Sequence, residues 1–296
     1  MTAMRAGAFA TAWQISDEVL RRRVVNRGQW WRLPRHQQPV WTGEHIDGRR
    51  VLVRCYHGLG DSVQFLRFAR ILRERAREVI FWIQPELVEL ANMADGVDQA
   101  LPLHDGRPQC AFDVDLEVME LAHALRADAA MLKPGGPYLF VPAEIAPRDG
   151  ALHIGFAWRS GGWDPRRNLP IALASSLLNI AGIRWVSLLP HGAEGDPLGI
   201  GSLADGSVTG LARSMRNLDL VITVDTFAAH LAGALGVRTW TLLHAECDWR
   251  WGARDIASLW YPSMRLFRQQ EPGDWHPVMR QVFSSLTAMA RLKKRD

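Results

Sequence analysis

From Arg50 onward, short apolar runs take turns with stretches whose apolar residues recur every three or four positions. "RVLVRCY", "EVIFWIQ" and "FDVDLEV" read as strands; "SVQFLRFARILRERA", "ELVELANMA" and "VMELAHALRA", which follow them in turn, read as helices. A period near two that gives way to one near 3.6 marks strand and helix respectively. Strands that alternate with helices predict βαβ units and a parallel sheet covered by helices. After a break at "VPAEIAPRDGA" the alternation restarts. "LHIGFAW", "RWVSLLP", "LDLVITV" and "TWTLL" are the strands, while "PIALASSLLNI", "VTGLARSMRN" and "TFAAHLAGALG" are the helices. "PVMRQVFSSLTAMARLKK" closes the chain as a long amphipathic helix.

Ahead of the first strand, Phe9, Trp13, Leu20 and Val24 fall at helical spacings, so residues 1 to about 26 are predicted helical. "NRGQWWRLPRHQQPVWTGEHIDG" interrupts that pattern with proline, glycine and polar residues and reads as a connector. The predicted architecture is therefore α/β. It has a helical extension and linker over 1–47, a Rossmann-like domain over 48–147 and a second over 148–296, the two domains facing a cleft. Ligands of open parallel sheets bind beyond the carboxyl ends of the strands. The loops after "VLVRCY", "IGFAW" and "LVITV" are the places to look.

Composition narrows the class. The 296 residues are 48% hydrophobic and 22% charged, which fits a globular protein, and no apolar run is long enough to span a bilayer. The start lacks the features of a secretory signal. The three cysteines, Cys55, Cys110 and Cys247, are far apart and fit reduced thiols better than disulfides or zinc ligands. A cytoplasmic location is the expectation. The net charge of +4 is modest and carried mostly by arginine, whose planar fork suits phosphate. An anionic ligand fits; nucleic acid is not expected, and peripheral membrane contact stays open. Most of the 13 tryptophans are expected to pack in the core, with a few available for a sugar or peptide groove. "CDWRWG" and the segment around it, residues 246–268, have no assigned role.

Three stretches carry candidate chemistry. In "YHGLGDS", Gly58 and Gly60 permit a tight strand-to-helix turn, with His57 before it and Asp61 and Ser62 at the helix start. Asp61 is open to two readings: a helix cap beside the positive helix end, or a carboxylate that takes a proton from a neutral hydroxyl. A nucleotide phosphate does not belong here, because the third glycine of a dinucleotide fingerprint is missing and Asp61 would repel it. In "DLVITVDTFAAHLAGALG", Asp225 and Thr226 end a strand and open a helix whose first N–H groups form an anion site. His230 lies one turn on from Thr226; a buried, hydrogen-bonded histidine is the competing reading. In "GFAWRSGGWDPRRNLP", Arg159, Arg166 and Arg167 can neutralise a diphosphate and Ser160 can add a hydrogen bond, at least one arginine being ordinary surface. The D-x-D of "FDVDLEV" is read as a strand-end feature. No metal and no cofactor are predicted.

These stretches together resemble a known family. "HGLGDSVQFLRFARIL", "VIFWIQPELVELA", "GVDQALPL" and "VDTFAAHLAGALG", in that order, are similar to the heptosyltransferase-like glycosyltransferases of family nine. The branch is the one often attached to tetratricopeptide repeats in bacterial proteins, and "AGAFATAWQISDEVLRRR" is similar to the end of such an array. The resemblance covers about residues 48 to 285. It implies the two-domain GT-B fold and metal-independent transfer that inverts the anomeric centre. It further implies that Asp61 is the base on the acceptor hydroxyl and that Asp225, Thr226, Phe227, Ala228, Ala229 and His230 hold the donor's phosphates. Ser160 with Arg166 or Arg167 would complete the diphosphate site. The family usually has a lysine there, so arginine leaves the donor's identity open, an ADP-heptose-like donor being one candidate. The acceptor is a glycan, a small molecule or a protein. A non-catalytic GT-B-like scaffold associated with repeat proteins is the alternative. A nucleotide-dependent oxidoreductase fares worst, since neither half carries G-x-G-x-x-G.

Overall fold

A computed structural model describes residues 2–25, 32–38, 40–132, 136–143, 150–190, 197–203 and 206–293. The chain divides into two compact units, Met1–Phe140 and Val141–Asp296. The linker expected near residue 147 lies outside the described residues, as does part of the expected connector after residue 26 and the end of the basic tail.

The first unit is built on a four-stranded sheet in the order β3-β2-β1-β4, with β1 at Arg50–Arg54, β2 at Glu78–Ile83, β3 at Gln99–Pro102 and β4 at Val114–Glu117. All pairings are parallel. Burial on both faces explains why β1 and β2 read as unbroken apolar runs instead of alternating. The helix Leu59–Phe65 passes through a 3-10 turn into the helix Ala69–Arg75, burying Val63, Phe65, Leu66, Phe68, Ala69 and Leu72. A second, smaller cluster joins Leu52, Ile80 and Trp82 to Tyr56, Leu101, Leu103, Cys110 and Phe112. The guanidinium groups of Arg35 and Arg54 lie over the Trp82 ring at 5.3 and 5.5 Å.

The helix Phe9–Val25 is fastened to this unit by polar contacts around one imidazole. Asp17 meets His123 at 2.8 Å and Arg126 at 2.7 Å, Trp13 donates to the Ala127 carbonyl at 2.7 Å, and Trp13 stacks on His123. The D-x-D pattern is used structurally. Arg50 takes Asp113 at 2.9 Å and Arg54 takes Asp115 at 2.6 Å.

The second unit holds a five-stranded sheet in the order β6-β5-β7-β8-β9: β5 is Leu152–Ala157, β6 Ile183–Ser187, β7 Leu220–Val224, β8 Thr239–Leu243 and β9 Met264–Arg268. These pairings too are parallel. The final helix, His276–Lys293, packs Val278, Val282, Leu286 and Ala290 into the core. Their spacing of four places them on one stripe, as the sequence pattern requires. None of the described helices is long and apolar enough to cross a membrane.

Gly96 shows how tightly the first unit closes. Its φ is +86°, and a Cβ there would sit 2.4 Å from the backbone nitrogen of Arg70. Gly96→Ala should therefore cost about 2–4 kcal/mol, from the left-handed backbone plus a clash with main chain that cannot rotate away. Urea denaturation should show this as a lower midpoint at unchanged slope.

Candidate functional site

The two strand orders each contain one reversal. In the first sheet the chain runs from β1 outward to β3 and then returns to the other side of β1 as β4. In the second it runs from β5 to β6 and then continues on the other side of β5 as β7. At such a reversal the two central strands send their following segments to opposite faces, leaving a crevice at their carboxyl ends. The candidate residues gather at these two places.

At the first reversal, β1 leads through Cys55, Tyr56 and His57 to Gly58, which is the N-cap of the helix Leu59–Phe65. Gly60 lies in the first turn. Asp61 occupies the third helical position and accepts the backbone N–H of Gly58 at 3.1 Å, the arrangement of half a capping box. A carboxylate has about four acceptor positions, so this bond uses only part of its capacity. Ser62 is buried and donates to Gln84 Oε1 at 2.9 Å, while Gln84 Nε2 donates to the His57 carbonyl at 2.6 Å.

A carboxyl that sequence reasoning did not single out faces the same turn. Glu117 ends β4 and is only 4% exposed. It accepts the Met119 N–H at 2.7 Å and the Tyr56 N–H at 3.3 Å, and lies 3.5 Å from His57 Nε2. Burial pushes its carboxyl up to about 8, with the nearby Glu120 and Asp61 adding to the rise and the two N–H bonds opposing it. Glu120 is raised by burial as well, although Arg23 and the Trp41 N–H bind it.

At the second reversal, Asp225 follows β7 and Thr226 is the N-cap of the helix Phe227–Ala234, with extended backbone and no side-chain cap bond. The first N–H groups of a helix have no intrahelical carbonyl to meet, so those of Phe227 and Ala228 point outward at a positive dipole end. Ala228 and Ala229 are buried where the helix meets the unit. Arg167 stands beside this turn, its Nε 3.6 Å from Asp225 Oδ2 and its Nη1 3.5 Å from the Asp225 carbonyl. Burial raises the Asp225 carboxyl and Arg167 opposes that rise.

The other arginines are employed differently. Arg166 grips Asp164 through Nε at 2.9 Å and Nη2 at 2.8 Å, and reaches Glu246 at 2.7 Å. This holds the Asp164 carboxyl down to about 2. His244, at the end of β8, lies 3.8 Å from Asp164 and is lowered by burial. Arg159 is exposed. Ser160 donates its backbone N–H to Asn168 at 2.8 Å, closing the loop on itself.

His230 belongs to the packing of the helix. It meets the Tyr261 hydroxyl at 2.9 Å and stacks on Trp251 at 5.4 Å. One turn later, a Cβ on Gly233 would fall 2.4 Å from the Tyr261 ring, so helix and ring touch directly. Trp249, Trp251, Trp260 and Tyr261 are all buried. Much of the tryptophan-rich segment thus braces the helix that Thr226 opens. Among the described residues, no group of three or more His, Cys, Asp or Glu side chains converges as a metal site would.

The fold is that of glycosyl transferase family 9 structures, the GT-B fold of the heptosyltransferases. The family 9 transferase of Veillonella parvula DSM 2008 superposes with a TM-score of 0.57 at 14% identity, over 83% of this chain and 98% of that one. ADP-heptose LPS heptosyltransferase II of E. coli gives 0.58 at 14%, over 83% and 99%. The dodecameric iron-containing heptosyltransferase TibC, solved with ADP-D-beta-D-heptose, gives 0.58 at 11%, over 84% and 77%. In sequence, Protein FlbA of Caulobacter vibrioides is 26% identical over 302 residues. That match takes in 87% of this chain and 50% of FlbA, so the chain spans half the length of this curated relative. No family model matches the chain.

The raised Glu117 carboxyl makes stability depend on pH in a definite direction. Between the ordinary glutamate value of 4.5 and about 8, the unfolded chain has lost the proton that the folded chain keeps. Folding stability therefore falls as pH rises through that window. Glu117→Gln removes the titration, so its stability relative to the parent should grow across the same window, by about 2–4 kcal/mol. Chemical denaturation at pH 5 and pH 8.5 should show the parent losing ground to the variant at the higher pH.

Proposed function

We propose that this chain is a glycosyltransferase that moves a sugar from a nucleoside diphosphate sugar to an acceptor hydroxyl, with inversion at the anomeric carbon. The reading rests chiefly on one observation: at the reversal of the second sheet, Arg167 stands beside a helix start that has no side-chain cap bond. Helix N–H groups and a guanidinium are what a diphosphate needs, and they serve again when it leaves with added negative charge. Asp61, at the reversal of the first sheet, takes the proton of the acceptor hydroxyl as its oxygen attacks. The base and the donor cradle thus come from different units. Transfer of this kind asks no metal of the protein, because the leaving charge is met by arginine and backbone dipoles.

The donor is an ADP-heptose or a close relative in this reading, in line with the ligand of the TibC structure and the name of heptosyltransferase II. The cytoplasm is its proposed location, where three free cysteines stay reduced. Titration calorimetry with ADP and ADP-heptose tests the cradle. Arg167→Ala should weaken ADP binding about tenfold or more, whereas Arg166→Ala, whose guanidinium is committed to two carboxylates, should weaken it about threefold or less. Asp61→Asn should bind the donor as the parent does yet lose about 10²–10⁴-fold in transfer rate. Absence of binding by any nucleoside diphosphate would leave the scaffold reading in place.

A further inference from the structure

The turn that carries Asp61 hangs on three polar side chains, one for each of three consecutive residues. Glu117 Oε1 accepts the Tyr56 N–H at 3.3 Å, and its Oε2 lies 3.5 Å from the His57 ring. Gln84 donates to the His57 carbonyl at 2.6 Å. Asp61 itself accepts the Gly58 N–H at 3.1 Å. Of the two carboxyls, Glu117 is the buried one, and it comes from β4, the strand across the reversal from the turn. It therefore ties the two sides of the crevice together. We propose that Glu117 is the positioning residue of this turn, holding Tyr56 and His57 so that Asp61 meets the acceptor.

Burial, first of all, favours the neutral form of Glu117, and the nearby Glu120, on its own 3-10 turn, and Asp61, on the helix, add to that by opposing a further negative charge. The compensating cations are engaged elsewhere. Arg54, in register with Glu117 on β1, is taken by Asp115 and the Tyr56 hydroxyl, and Arg23 is taken by Glu120. The Cys55 thiol, also close by, is itself pushed up by burial. The His57 ring, 3.5 Å away, can offset ionisation when it is protonated. Two carboxyls with different environments thus divide the work, one buried acid that positions and one half-buried base.

The geometry stands alone, while its consequence for turnover rests on the transferase reading; the test separates them. Full-length protein carrying ¹³C-labelled aspartate carboxyls would be titrated by NMR, as parent and as Glu117→Gln. The Asp61 signal of the parent should show a step as Glu117 ionises near pH 8, and Glu117→Gln should abolish that step. In turnover of ADP-heptose, the parent should decline above that pH, and Glu117→Gln should lose the decline. Glu117→Ala, which removes both acceptor oxygens, should lower kcat about tenfold or more relative to Glu117→Gln with donor KM unchanged. If Glu117→Ala does not fold, the Gln variant and the titration decide. No step in the parent's Asp61 signal, or a step that survives in Glu117→Gln, overturns the inference. A step lost on substitution in a protein that turns over no nucleotide sugar supports the coupling and overturns the transferase reading.

Discussion

Parallel strands cannot be joined by hairpins, and that constraint decides where this chain can place polar chemistry. Each crossover must return over one face of the sheet with fixed handedness. A change in the direction of strand addition therefore moves the covering segment to the opposite face, and the strand ends between are left uncovered. The first unit makes that change between β1 and β4, the second between β5 and β7. Asp61 and Glu117 stand at the first, Arg167 and Thr226 at the second. The central strands β1, β2, β7 and β8 are buried along nearly their whole length, so among the described residues their carboxyl ends are where polar groups of these strands can reach a ligand.

The two crevices meet opposite electrostatic demands. The first collects acids, and three carboxyls cannot all ionise in one half-buried place without mutual repulsion. Burial answers this by raising both Glu117 and Glu120, which eases that repulsion. In the proposed reading, the second must keep positive charge available for an incoming anion. Arg166 is not available in that sense, since two carboxylates already satisfy its fork at close range. Among the described residues, Arg167 keeps long contacts of 3.5 and 3.6 Å with Asp225. Those contacts aim the guanidinium at the turn, while a phosphate oxygen can still be met at a shorter and stronger distance.

Legibility in the sequence followed whether the cause was local. Strands buried on both faces announce themselves as apolar runs, so β1, β2, β4, β5, β7 and β8 are readable between Arg50 and Leu243, and the less buried β6 is readable from its apolar "WVSLL". The same reading passed over β3 and β9. The four residues "QALP" are half exposed, and "MRLFR" is interrupted by charge and lost among tryptophans. The glycine turn and the helix opened by Thr226 were legible because glycine and a small-residue helix carry their own geometry. Arg166 and Arg167 are adjacent and chemically identical, so only the positions of Asp164, Glu246 and Asp225, up to 80 residues away, tell them apart. Glu117 was hidden for a related reason. An acid at the end of an apolar strand is a common strand terminus, and its burial comes from a turn some 60 residues earlier.

The tryptophans bear on how the proposed backbone anion site would be made to work. A helix of eight residues has little stability of its own, because nucleation is costly and few hydrogen bonds repay it. An anion held by its first N–H groups would pull on a frayed end unless something fixed the helix from behind. Gly233 lets the helix approach the Tyr261 ring to contact distance, and His230 adds a hydrogen bond with the Tyr261 hydroxyl and a stack on Trp251. Trp251 is anchored in turn by Arg268, which donates to its carbonyl at 2.7 Å. The segment between β8 and β9 uses much of its aromatic surface to brace the helix that Thr226 opens, so that in the proposed reading the dipole of a short helix can act as a fixed charge.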